Sequence, residues 1–169
     1  MIFVALLFLA VVAVVAAAYI NFSPLPRDAV ADRVVVEKSA RQLTLLRNGK
    51  TLKTYRVALG GVPVGPKEHE GDQRTPEGIY SIDFHKPDSD YHRALHISYP
   101  EQHDIDRAAV EGLSAGSDIM IHGLPNGRAW PGRFHRRVDW TAGCIAVTDF
   151  EIEEIYRGVP DGTPIEIRP

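Results

Sequence analysis

Arg33-Val34-Val35-Val36-Glu37-Lys38, Gln42-Leu43-Thr44-Leu45-Leu46-Arg47, Asn48-Gly49 and then Lys50 to Leu59 decide the fold class. The first run is rich in β-branched residues and reads as a strand. Ser39-Ala40-Arg41 turns the chain into a second strand. Asn-Gly between two apolar runs is the strongest short hairpin signal, since a type I′ turn needs positive φ at both central residues. A third strand follows from Lys50 and is closed by Gly60-Gly61.

Outward from this meander the chain stays mostly β. Residues 62–77 are a polar loop with three prolines. Gly78 to Phe84 and Ala94 to Tyr99 alternate like half-buried strands. Asp104 to Leu113 is a modest helix candidate, and Asp118 to His122 and Gly143 to Val147 are short strands. Thr148-Asp149-Phe150-Glu151 is a capping box opening a helix whose first turns carry Asp149, Glu151, Glu153 and Glu154, where the helix dipole favours acids. Gly158 and Pro160 end it, and Pro164 to Ile167 is the last strand. The fold class expected is a mostly β, mixed β-sandwich with one or two short helices.

Towards the N-terminus the composition changes. Met1 to Ile20 is apolar throughout and the first charge is Arg27. A helix of twenty residues spans about 30 Å, the thickness of a bilayer core. Pro24 and Pro26 stop it. The first reading is a single-pass transmembrane anchor over 1–20, a linker over 21–32 and one domain over 33–168. A cleaved signal is the second reading, since Ala16-Ala17-Ala18 supplies small residues near a cleavage point. A net charge of −3 argues against nucleic acid as a partner. Seven histidines stand without HExxH or HxH spacing, so neither a metal nor another cofactor is expected.

The one cysteine, Cys144, excludes an internal disulfide framework. A lone cysteine is often only a small buried hydrophobe. Three neighbours favour chemistry. His122-Gly123 ends a second strand 22 positions upstream and offers a base to the thiol. The intervening loop carries Arg128, Arg133, His135, Arg136 and Arg137 with no acid before Asp139, a charge that either supports a thiolate or is simply solvated. Gly143 gives the backbone room for a tight turn before the cysteine.

Ile121-His122-Gly123, a loop, then Thr141-Ala142-Gly143-Cys144-Ile145 resembles the catalytic signature of the L,D-transpeptidase (YkuD-type) family. Arg74-Thr75-Pro76-Glu77-Gly78 and Val159-Pro160-Asp161-Gly162-Thr163-Pro164-Ile165 resemble further elements of that family, and Tyr91-His92, His96-Ile97-Ser98-Tyr99-Pro100 and Asp118-Ile119-Met120-Ile121-His122-Gly123 resemble its murein-transpeptidase branch. The resemblance covers residues 33–168. It implies that Cys144 attacks a peptidoglycan tetrapeptide stem, releases D-Ala and passes the acyl group to an amine of another stem. It gives His122 the role of general base and acid. The carbonyl of Gly123 would orient the imidazole, and backbone N–H groups at Gly143 and Cys144 would hold the oxyanion. Thr141 belongs to the same motif. Tyr91, His92, Trp130 and Trp140 are candidates for the walls of a peptide groove.

Many members carry His where this chain has Ala142 and Arg where it has Ala146; Arg133, His135 and Arg137 are candidate replacements in binding substrate. A carboxypeptidase or endopeptidase on the same stems, and an inactive peptidoglycan-binding module, are the alternatives. The expected setting is a monomer in the cell envelope, held in the cytoplasmic membrane by its N-terminal helix with the catalytic domain on the periplasmic side.

Overall fold

The computed structural model describes residues 23–169 together with Val12. The anchor expected over Met1–Ile20 therefore lies, Val12 apart, outside the described residues. Among the described residues no helix is long and apolar enough to cross a membrane.

The elements run β1 (Arg33–Glu37), β2 (Gln42–Arg47), β3 (Lys50–Arg56), β4 (Gly78–Ser89), β5 (His92–Ile97), α1 (Gln102–Val110), β6 (Met120–His122), a 3₁₀ turn (Gly132–Arg137), β7 (Ile145–Ala146), α2 (Asp149–Gly158) and β8 (Pro164–Arg168). The fold is a mostly β mixed sheet with few short helices. Asn48 and Gly49 have φ of 50° and 72°, the positive pair a type I′ turn requires. Alternation fixes the inward faces: Leu43 and Leu45 of β2 and Ile165 and Ile167 of β8 are buried, and their neighbours are not.

The eight strands form one ladder in the order β3-β2-β1-β8-β4-β5-β6-β7. Two separate sheets, as a simple sandwich implies, are replaced by one sheet turned back on itself. Strand β4 makes the turn. Its first residues, Gly78–Ser81, pair with β8, and Ile82–Ser89 pair with β5, with a register shift between Ile82 and Phe84. The two ends of the ladder then meet. Beyond β3, Ala58 exchanges both backbone hydrogen bonds with Ala146 of β7 (2.9 and 2.8 Å), and Gly60 bridges to Thr141. That bridging also explains why β3 stops at Arg56 and not at Leu59: the chain leaves β2 to join β7. Between the layers, Val34, Val36, Leu43, Leu45, Tyr55, Ile82, Leu95, Ile97, Ile121 and Ile145 form one core with Ile152 and Ile155 of α2.

The capping box at Thr148 is formed: Thr148 N–H donates to Glu151 Oε2 at 3.0 Å. α1 begins two residues earlier than the spacing suggests because Glu101 and Asp104 make a second capping box. The 3₁₀ turn within the basic loop is an element that the sequence pattern did not suggest.

Candidate active site

β6 and β7 run parallel, with Ile121 beside Ile145 and His122 beside Ala146. His122 closes β6 beside Ala146, and Cys144 immediately precedes β7, two positions back along the neighbouring strand.

Cys144 sits at the end of a tight turn. Gly143 N–H donates to Thr141 Oγ1 (3.1 Å), and Thr141 Oγ1 donates to the carbonyl of Cys144 (2.7 Å). Gly143 has φ +137°, and a Cβ there would stand 2.7 Å from the carbonyl oxygen of Arg74. Glycine is thus required on both conformational and steric grounds. The thiol is half-buried and donates weakly to the carbonyl of Asp118 at 3.5 Å. It opens into a cleft of about 220 Å³ lined by Lys67, Glu70, Gly71, Asp118, Ile119 and Ala142 among others. Burial pushes the thiol pKa up; the negative charge of Asp118 adds to this, while a backbone hydrogen bond from Met120 and the charge of Lys67 work against it. The resting thiol is protonated.

His122 is buried, and its Nδ1 lies 2.7 Å from the carbonyl oxygen of Gly123. A carbonyl only accepts, so Nδ1 carries the proton and Nε2 keeps a lone pair. Burial pushes the imidazole down to about 4, against the opposing effect of that same hydrogen bond. Burial thus favours the neutral form of both groups. Gly123 is itself fixed: its N–H donates to Tyr91 O at 3.1 Å, and a Cβ would meet Asp149 Oδ1 at 2.8 Å. Asp149 also accepts from Leu124 N–H at 2.8 Å, tying the loop after His122 to the first turn of α2.

The other sequence candidates separate into groups. Tyr91 and Trp140 flank His122, with ring centroids 4.4 and 5.8 Å from the imidazole. His135 joins them, accepting at Nδ1 from Trp140 Nε1–H at 3.3 Å. His92 turns away to Glu153 of α2 (2.8 Å) and lines a separate, mainly apolar pocket. Trp130 is 79% exposed on the loop before the 3₁₀ turn. Arg133 is half-buried on that turn, and Arg137 lies over the Phe134 ring at 4.9 Å.

Three expectations change on this geometry. The N–H of Gly143, expected to hold an oxyanion, is spent on Thr141 Oγ1; the Cys144 N–H is the donor of that pair which the turn does not use. Thr141, a candidate for touching substrate, is buried with its hydroxyl occupied inside the turn. The loop arginines also do not supply the charge felt by the thiol; the cation there is Lys67, held by His69 O (3.0 Å) and Asp72 Oδ1 (2.8 Å). Sequence reasoning passed over Lys67 and Glu70, which sit in the proline-rich loop with no spacing signal. Ala146 is fully buried against Ala58 and has no room for a long side chain. Among the described residues no group of three or more His, Cys, Asp or Glu is arranged to hold a metal ion.

YafK of Escherichia coli (strain K12), which shares the L,D-transpeptidase name, is 32% identical over 111 residues, covering 64% of this chain and 37% of that protein. Among solved structures, the helical cell shape determining protein Pgp2 from Campylobacter jejuni superposes with a TM-score of 0.62 at 26% identity, covering 83% of this chain and 48% of that one. Bd1075 of Bdellovibrio bacteriovorus gives 0.56 at 25% identity, covering 84% and 49%. An L,D-transpeptidase from Mycobacterium smegmatis shares the fold alone, at 0.53 and 17% identity, covering 81% and 58%. The chain thus spans between about a third and somewhat over half the length of these relatives. The sequence matches the L,D-transpeptidase catalytic domain (YkuD) over residues 31–167. With the fold and a match of that extent in agreement, the chain belongs to the YkuD family of L,D-transpeptidase catalytic domains.

Proposed function

We propose that this protein is a cysteine-dependent peptidoglycan L,D-transpeptidase. One observation carries the reading: the hydrogen bond from His122 Nδ1 to the Gly123 carbonyl leaves a lone pair on Nε2, one strand away from a thiol that opens into a cleft. The thiol swings from the Asp118 carbonyl towards the imidazole and attacks the carbonyl between the third residue of a tetrapeptide stem and its terminal D-Ala. The C–S bond forms as Nε2 takes the thiol proton, and the Cys144 N–H donates to the developing oxyanion. Collapse breaks the C–N bond, and the proton passes from His122 to the leaving amine of D-Ala. An amine of another stem then attacks the thioester, giving the cross-link and returning a proton to sulfur. A neutral thiol and a neutral imidazole suit this sequence, because the proton moves only when the nucleophile engages.

The reading also places the domain outside the cytoplasmic membrane, where peptidoglycan lies, anchored through Met1–Ile20. The name of Pgp2 links that relative to helical cell shape, and a role in cell shape follows here as part of the proposal. The test is incubation with disaccharide-tetrapeptide, read by mass spectrometry. Loss of D-Ala together with a new dimer is expected. Loss without dimer assigns a carboxypeptidase, and no change with no thioester on Cys144 refutes both. Cys144→Ala abolishes turnover on this mechanism.

A further inference from the structure

Arg41, Arg56, Arg136 and Arg137 line one polar cleft of about 280 Å³ with Val57, Val138 and Asp139. Four arginines thus line it with one acid, Asp139, in a chain whose net charge is −3. Asp139 is already occupied, accepting from Arg41 Nη2 at 2.9 Å and from Leu59 N–H at 2.9 Å. Arg136 is ion-paired with Glu151 of α2 and is largely buried, yet its Nε–H is buried without a partner. Arg56 and Arg137 lie exposed at the cleft, and neither is ion-paired to an acid among the described residues. Guanidinium forks match planar oxyanions, to which they bind with two parallel hydrogen bonds.

One short segment links this cleft to the thiol cleft. Asp139 lines the first, and Ala142, three residues on, lines the thiol cleft. Three extended residues span at most about 10 Å. Trp140, between them, packs beside His122. A peptide lying along this segment with its scissile carbonyl at Cys144 brings an acidic group two residues away, about 7 Å along an extended chain, towards the arginines.

We propose that the arginine cleft is an oxyanion subsite that binds a carboxylate of the peptide substrate, with Arg56 and Arg137 as specificity-determining residues. The source of the carboxylate rests on the peptidoglycan reading; the anion site itself does not.

The experiment uses the full chain in detergent. Cys144→Ala protein is titrated calorimetrically with disaccharide-tetrapeptide, with the same compound after amidation of its carboxylates, and with inorganic phosphate. The unmodified peptide should bind, the amidated one about tenfold more weakly, as expected for the loss of a charge-assisted pair. Arg56→Gln and Arg137→Gln in that background should each weaken the unmodified peptide and erase the difference between the two. In the active enzyme the same substitutions should raise KM for the unmodified peptide with kcat little changed. Equal binding of both peptides by the parent, or unchanged discrimination in both variants, overturns the proposal. Phosphate binding that the peptide does not displace overturns the peptide assignment. The two failures are separable: binding discrimination without turnover removes the reaction and leaves the site, and turnover with no discrimination does the reverse.

Discussion

Acidification should unfold this protein through two histidines. His122 and His135 are 4% and 7% exposed, and burial holds each imidazole down to about 4. For His135 the positive charge of Arg136 adds to burial, and Glu151 opposes it. In the unfolded chain both titrate near 6.5. A folded value below the unfolded one means that the unfolded chain takes up protons first. The stability is therefore full above about pH 6.5 and is lost as pH falls towards 4. Between pH 7 and pH 5 the linkage relation gives a loss of about 2 kcal/mol for each ring. The two rings together account for about 4 kcal/mol, a large part of the 5–15 kcal/mol of a typical domain. Asp72 and Glu151 are held below the ordinary carboxylate range by Lys67 and Arg136 against burial, so their stabilisation is lost only at lower pH, outside this window. Urea unfolding followed by tryptophan fluorescence in a Trp130→Phe background, which leaves Trp140 as the reporter, measures the midpoint at pH 7, 6 and 5. The midpoint should fall steadily, and His135→Gln should remove about half of the fall. A midpoint unchanged from pH 7 to pH 5, or a His135→Gln protein with the full pH dependence, refutes the assignment of two buried neutral rings.

Three further outcomes are expected. Iodoacetamide should alkylate Cys144 more slowly at pH 7 than an ordinary cysteine of pKa about 8.5, with a rate that climbs only at alkaline pH; a plateau between pH 5 and 8 in the rate profile would reveal a preformed thiolate–imidazolium pair. Gly143→Ala places a Cβ against the Arg74 carbonyl at φ +137° and should cost about 2–3 kcal/mol, read as a lowered melting temperature. Thr141→Val leaves the Gly143 N–H and the Cys144 carbonyl without their shared hydroxyl and should cost about 1–3 kcal/mol and lower kcat, while Thr141→Ser restores both.

Local chemistry was readable where one segment decides its own conformation. Asn48-Gly49 and the Thr148–Glu151 box carry their geometry in adjacent residues. The 12-residue β4 was not, because Pro87 and the acids Asp83 and Asp88 break its alternation, and its length follows from pairing with two partners. The parallel pairing of β1 with β8 joins residues over a hundred positions apart, and nothing in either run announces it. The site divides in the same way. Cys144, His122 and the Gly123 carbonyl lie within recognisable short motifs. Lys67, Glu70, Arg41 and Arg56 reach their clefts from loops and strand ends whose position depends on the closed sheet, so only the assembled fold names them.

The closure at Ala58 and Ala146 has a further consequence. β7 is two residues long, and a strand that short at the end of a ladder ordinarily offers free backbone groups to any extended chain nearby. Here both sides are taken, by β6 on one and by Ala58 on the other. The strand that follows Cys144 cannot recruit a peptide by strand addition. Recognition is thereby forced onto side chains and loops, where chemistry and not mere extension selects the substrate, and an unrelated strand has no foothold beside the thiol.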